Sequence, residues 1–204
     1  MLKITIICAI IGHILCGVCD CLLGYSKKGR LNLKDVKDPE KMKEMFADMP
    51  LSFPMTSIIL GTFSILLFSF GYFGLCYWMK DFSVLSANIM LIASLLFLIP
   101  IVAHHIICGF VEWFYIKLGR TDEVRTSVLD FQKKTISTMF AGYLGLLVFL
   151  VTLFVMVVSG KTSLPAWGCI FNTFVFMIPM IPTKIPAKGN VCGALMFIGL
   201  LIML

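Results

Sequence analysis

FSVLSANIMLIASLLFLIPIVAHHIICGFVEWFY, Phe82–Tyr115, contains one formally charged side chain, Glu112. An apolar run of this length exceeds the roughly 20 residues that cross a bilayer upright, yet is too short for two spans and a turn. With Pro100 in its middle, it reads as one tilted, kinked helix that continues past the membrane surface. Lipid is then the solvent, and backbone groups must be satisfied within helices.

A window of about 19 residues finds apolar segments near 4–24, 55–79, 135–158, 165–183 and 190–204, besides 82–118 for the quoted run. The expected fold class is all-α, a polytopic transmembrane helix bundle of six spans. One membrane domain covers 1–204, with short amphipathic cytoplasmic helices. Composition agrees: 59% of residues are hydrophobic and 14% charged, with mean hydropathy +0.98. That excludes a soluble enzyme, a nucleic-acid-binding module and a disordered chain.

Charge sets the orientation, because Lys and Arg accumulate on the cytoplasmic side. Residues 25–50, 116–134 and the loop with Lys184 and Lys188 hold 14 of the 17 basic residues; only Lys3, Lys80 and Lys161 lie on the other side. The expectation is a bacterial cytoplasmic (inner) membrane protein with both termini outside. The first segment is expected to stay as a helix, since cleavage would put the basic first loop outside and no A-x-A site follows it.

Within the loop 25–51, DPEKMKEMFADMP places Asp38 as N-cap, Pro39 at the first helical position, and Met42, Met45 and Phe46 on one face. This predicts a short amphipathic helix lying on the membrane. Thr121–Lys134 has a similar pattern, with Val124, Val128 and Phe131 on one side.

Polar groups inside the apolar runs are the candidate site. Asp20 and Glu112 are the two acids there, and His13, His104 and His105 are the three histidines. His13 and Asp20, like His105 and Glu112, are seven residues apart, about 20° apart around a helix axis. Each span thus carries a histidine above an acid on one face. Counted by depth, Asn172 reaches the histidine level and Asn190 the inner end of the last span. Four spans then converge on a pocket opening to the cytoplasmic leaflet, with His13, Asp20, His105 and Glu112 as acid–base residues. His104, Asn172 and Asn190 are the substrate-binding candidates. Structural hydrogen bonds between spans are the alternative use of the same groups.

Zinc-compatible residues recur at His13, Cys16 and Asp20 and at His104, Cys108 and Glu112. No compact HxxxH or paired CxxC pattern supports them, so no metal ligands are assigned and no cofactor is named. Cys16-Gly-Val-Cys19 spells a redox dithiol, but inside an apolar helix its cysteines read as small packing residues.

The stretches GHILCGVCDCLLGY (12–25), HHIICGFVEWFY (104–115), LPAWGCIFNTFVF (164–176) and GNVCGALMFIG (189–199) resemble small six-span bacterial membrane proteins of unknown function. That resemblance implies bacterial origin and six spans, and brings no activity. HHIICGFVEWF is also similar to sterol-isomerase-like membrane proteins, although span number and spacing depart from them.

The leading expectation is a membrane-embedded enzyme or binding protein for a small amphiphilic or lipid-like substrate. A proton-coupled transporter or channel subunit, and a structural or regulatory protein, are the alternatives. The expected partners are membrane lipids and that ligand, with no nucleic acid.

Overall fold

The structure is a computed structural model describing residues 1–31 and 33–204, with the backbone alone of Leu33 and Lys34. Helix α1 (Leu2–Gly24) runs into a two-residue ribbon, β1 (Tyr25–Ser26) antiparallel to β2 (Gly29–Arg30). There follow α2 (Leu33–Lys37), α3 (Pro39–Phe46), α4 (Ser52–Met79), α5 (Val84–Lys117), α6 (Asp122–Thr135) and α7 (Ser137–Val158). A 3-10 helix over Ala166–Ile170, α8 (Thr173–Met180) and α9 (Lys188–Met203) complete the chain. Among the described residues, four helices are long and apolar enough to cross a membrane: α1, α4, α5 and the α6–α7 unit.

Local chemistry sets several of these boundaries. The Asp38 carboxylate accepts from the Glu40 and Lys41 amides at 3.1 and 3.2 Å, with Pro39 contributing a preset φ at the first helical position. Ser83 caps α5 and Thr121 caps α6 in the same way. Helix α6 also carries Asp122 and Glu123 in its first turn and Lys133 and Lys134 in its last, matching the helix dipole at both ends. Helix α5 is continuous through Pro100 and spans about 50 Å at 1.5 Å per residue.

Two expectations need correction. The segment 165–183 is not one helix. The Asn172 side chain accepts from the Phe174 amide and restarts the chain as α8, after a 3-10 turn that ends at Ile170. Pro182 follows closely, and α8 is only eight residues long, far short of the bilayer core. The amphipathic helix α3 does not keep its apolar face for lipid, because Met42 and Phe46 are buried together with Tyr115 and Ile116 from the end of α5. Phe46 and Tyr115 meet edge to face at 5.4 Å. Arg120, at φ 58°, ties the loop down further: Nε donates to the Phe46 carbonyl and Nη2 to the Met49 carbonyl, at 3.0 and 3.4 Å.

The helices form a ring in which α1 packs against α4 and α9, α4 against α5, and α5 against α7. The 3-10 turn and α8 close it between α7 and α9. On α1 the residues Ile4, Ile7, Ile11, Ile14 and Val18 are exposed as one apolar stripe, while Ile6, Ala9, His13 and Cys16 point inward. On α1 the polar His13 is thus held inside the ring while the exposed stripe is apolar, a pattern compatible with a lipid surrounding.

At mid-height the ring is plugged by aromatic side chains. Tyr72 of α4 lies 5.0–5.3 Å from the rings of Phe97, Phe149 and Phe197, which come from α5, α7 and α9. Phe68 stacks on His13 at 4.3 Å. Such ring contacts tie the helices together, each pair contributing about 0.5–1.5 kcal/mol beyond its burial. From the plug toward Met79, Met90 and Met156 the interior is filled with buried apolar side chains. Toward the Lys- and Arg-rich end it is hollow.

Candidate functional site

Isolated helices cannot pair a histidine with an acid seven residues away, because the two Cα atoms are separated by about 10 Å along the axis. His13 and Asp20, which the spacing put on one face of α1, and His105, put on one face of α5 with Glu112, make their polar contacts across helices instead. The His13 Nδ1 and the Asn190 Oδ1 are 2.9 Å apart, and Asn190 Nδ2 donates to Asp20 Oδ2 at 2.8 Å. The other carboxylate oxygen of Asp20 faces His105 Nδ1 at 3.8 Å. His105 Nε2 lies 3.0 Å from the Ser57 carbonyl and 3.3 Å from the Ser57 hydroxyl, which itself donates to the Cys19 carbonyl at 3.0 Å. Tyr72 Oη lies 3.4 Å from His13 Nε2. One polar chain therefore runs from Tyr72 through His13, Asn190, Asp20 and His105 to Ser57, drawing on α1, α4, α5 and α9.

Glycines make room for both rings. A Cβ on Gly61 would overlap the His105 imidazole, and one on Gly193 would come within 2.5 Å of His13 Cε1. Ser57 and Gly61, one turn apart on α4, thus form the bed of His105. The hydrogen bonds and the close approach fix where each imidazole lies.

This chain borders a cavity of about 570 Å³ whose lining includes His13, Asp20, His104, His105, Glu112 and Asn190. The volume is that of an ordinary small-molecule pocket. Its floor is the plug at Phe68, Tyr72 and Phe97, and its mouth lies among the basic loops at Tyr25, Arg30 and Lys188. Two atoms on the α5 side, Glu112 Oε2 and His104 Nδ1, are buried without a hydrogen-bond partner among the described residues. His104 Nε2 lies 3.5 Å from Cys108 Sγ. Such orphaned atoms on a cavity wall are where a ligand's polar groups or ordered water would bind.

Asn172, expected in the pocket, is not part of the cavity lining. Its amide donates to the Leu150 carbonyl at 3.0 Å while its oxygen caps α8, so its hydrogen-bonding capacity goes to holding the broken segment on α7. Its neighbour Thr173 borders the cavity instead. Sequence reasoning missed Ser57 and Tyr72 of the polar chain, and Gln132 of α6, which borders the cavity. The signal available was Ser57-x3-Gly61-x2-Ser64, a small and polar face on an otherwise apolar span. The two single-helix metal patterns also do not assemble as spelled; instead Cys16 and Asp20 of α1 converge with His105 of α5, their ligating atoms all within 4.8 Å of one another.

The chain belongs to a family of unknown function, DUF6796, whose profile matches residues 1–204. No curated protein and no solved structure matches it.

Proposed function

We propose that this member of DUF6796 binds, and acts on, a small amphiphilic or lipid-like molecule in an intramembrane pocket near the cytoplasmic leaflet. The observation that carries this reading is the asymmetry of the ring: close-packed beyond the aromatic plug, hollow and polar-lined before it. Apolar walls at Ile65, Ile101 and Leu146 suit an acyl or terpenoid body. The polar end at His13, Asp20, His105 and Glu112 suits its head, and Arg30 and Lys188 at the mouth favour an anionic one.

In this reading the chain crosses a bacterial inner membrane six times, with α1, α4, α5, α7, the broken Ala166–Met180 segment and α9 as spans. Both termini lie outside, supported by the concentration of 14 of 17 basic residues at the cavity mouth end. A proton-coupled transporter is the second reading, favoured by the break at Asn172, since discontinuous helices mark many transport sites. The aromatic plug weighs against it.

Native mass spectrometry of gently extracted protein tests the proposal, followed by titration with single-chain amphiphiles bearing carboxylate, phosphate or hydroxyl heads. A retained or saturably added amphiphile, lost in the cavity-filling Leu146→Trp and weakened in Glu112→Gln, is expected. An empty protein whose Glu112→Gln variant is equally stable would overturn binding in favour of transport. An empty protein destabilised by Glu112→Gln would favour a purely structural or regulatory role.

A further inference from the structure

His105 Nε2 sits 3.0 Å from a backbone carbonyl, that of Ser57, and a carbonyl can only accept. A proton on Nε2 satisfies that carbonyl and leaves Nδ1, 3.8 Å from the Asp20 carboxylate, able to offer a lone pair. Two lone-pair donors then face each other at 3.8 Å, beyond hydrogen-bond range. Cys16 Sγ completes a triangle with them, all three within 4.8 Å. Such a gap, bounded by nitrogen, oxygen and sulfur, is what a coordinated cation fills.

We propose that Cys16, Asp20 and His105 form a three-ligand site for a divalent cation of the zinc class, with its fourth position opening into the cavity. Imidazole, carboxylate and thiolate are the ligand types that zinc takes, and three protein ligands with one open position is the arrangement of catalytic rather than structural zinc. Tetrahedral bonds of zinc length place ligand atoms about 3.5 Å apart. The His105–Asp20 separation of 3.8 Å is already close to that value, and the Cys16 sulfur lies within 4.8 Å of both.

Two features outside the triangle support the assignment. Metal-bound histidines generally donate their other N–H to a carbonyl or carboxylate, and bound carboxylates are themselves hydrogen-bonded. Ser57 does the first for His105, and Asn190 does the second for Asp20 at 2.8 Å. Charge also balances. On binding, the Cys16 thiol releases its proton to solvent, so one thiolate and one carboxylate neutralise a dication. A site without net charge is what an apolar surrounding tolerates. All three ligands border the cavity, so a bound amphiphile's head would meet the open coordination position. The metal site does not require the amphiphile reading, and a metal-free protein that still holds an amphiphile would leave that reading standing.

Cobalt(II) alone is the probe, titrated into chelator-treated full-length protein in detergent. The expected result is saturation at one equivalent, with tetrahedral d–d bands and a sulfur-to-cobalt charge-transfer band in the near ultraviolet. Cys16→Ser should abolish the charge-transfer band and weaken binding at least tenfold, and Asn190→Ala should weaken it about 10–100-fold. Cys19→Ser, outside the triangle, should leave the spectrum unchanged. Absence of saturable cobalt binding, or a spectrum indifferent to Cys16→Ser, overturns the proposal. If Cys16→Ser fails to fold, X-ray absorption of zinc-loaded wild type decides: one sulfur near about 2.3 Å with nitrogen and oxygen at about 2.0–2.2 Å supports the site. A shell of nitrogen and oxygen alone sinks it.

Discussion

Asp20 Oδ1 and His105 Nδ1 face each other at 3.8 Å from two helices, α1 and α5, that both pack on α4. The pair is within ion-pair distance but beyond hydrogen-bond range, so no direct hydrogen bond sets its spacing. Asn190 positions one partner and Ser57 the other, so the spacing is imposed by helix packing. Disturbing the surroundings should therefore disturb the pair without touching either residue.

Gly61→Ala is the sharpest such change. The added methyl overlaps the His105 ring, and the ring must leave Ser57 to accommodate it. Overpacking of this kind costs about 1–3 kcal/mol, and cobalt or ligand affinity should fall at least tenfold. Gly24→Ala, with nothing within 4 Å of its added carbon, is the control and should change stability by less than about 0.5 kcal/mol. Thermal melting beside the titration reads both. A Gly61→Ala protein that melts and binds like wild type would mean His105 does not sit against α4.

Asn190 tests the polar chain in the same manner. Its side chain meets both His13 and Asp20, so Asn190→Ala removes the common partner of two inward-facing groups. Leaving such groups unsatisfied costs about 1–3 kcal/mol. The double variant Asn190→Ala with His13→Phe should lose less than the sum of the two single losses, because one broken contact is shared. Strict additivity in melts of the four proteins would show that His13 and Asn190 do not interact.

How much of this was legible in the sequence depended on whether one helix sufficed to define the feature. The continuous run through Pro100 and the Asp38–Pro39 helix start are local, and they were readable from period and cap chemistry. The inward-facing polar residues were also identifiable, since an acid or histidine within an apolar run is conspicuous against Ile and Phe. Their partners were not. Spacing of seven placed His105 with Glu112, but whether Asp20 of α1 or Glu112 of α5 meets His105 depends on how the helices rotate against α4. That rotation is set by close approaches such as Gly61 to His105. Asn172 departs for the opposite reason: depth counted along the chain holds only for a continuous helix, and its own capping bond breaks that helix.

Arg120 gives a prediction about the loop that borders the cavity mouth. Its guanidinium donates to the carbonyl of Phe46, the last residue of α3, and to that of Met49 just beyond it, and Met42 and Phe46 are buried on the α5 end beside it. Arg120→Ala should release α3, leaving the long apolar helices intact. Limited trypsin digestion should then cut after Lys41 and Lys43 at least several-fold faster than in wild type, with unchanged thermal unfolding of the bundle. Arg120→Lys should behave more like alanine than like arginine, because a single ammonium cannot reproduce the planar fork. Equal cleavage rates in all three proteins would show that the strap is not what holds α3.

The orientation proposal makes its prediction through the lysines alone. Lys80 lies in the α4–α5 turn and Lys161 after α7, at the ends of helices remote from the cavity mouth, whereas Lys43, Lys117 and Lys184 belong to the basic loops. A membrane-impermeant amine reagent applied to spheroplasts should modify Lys80 and Lys161, and reach Lys43, Lys117 and Lys184 only after lysis. Peptide mapping by mass spectrometry reads all five positions in one sample without any substitution. Because α1, α4, α5 and α9 all contribute to one cavity, their basic ends must lie on one side together. Labelling of Lys117 from outside would therefore invert the whole bundle and turn the cavity mouth away from the cytoplasm. Labelling of Lys117 and Lys80 from the same side would instead rule out α5 as a span.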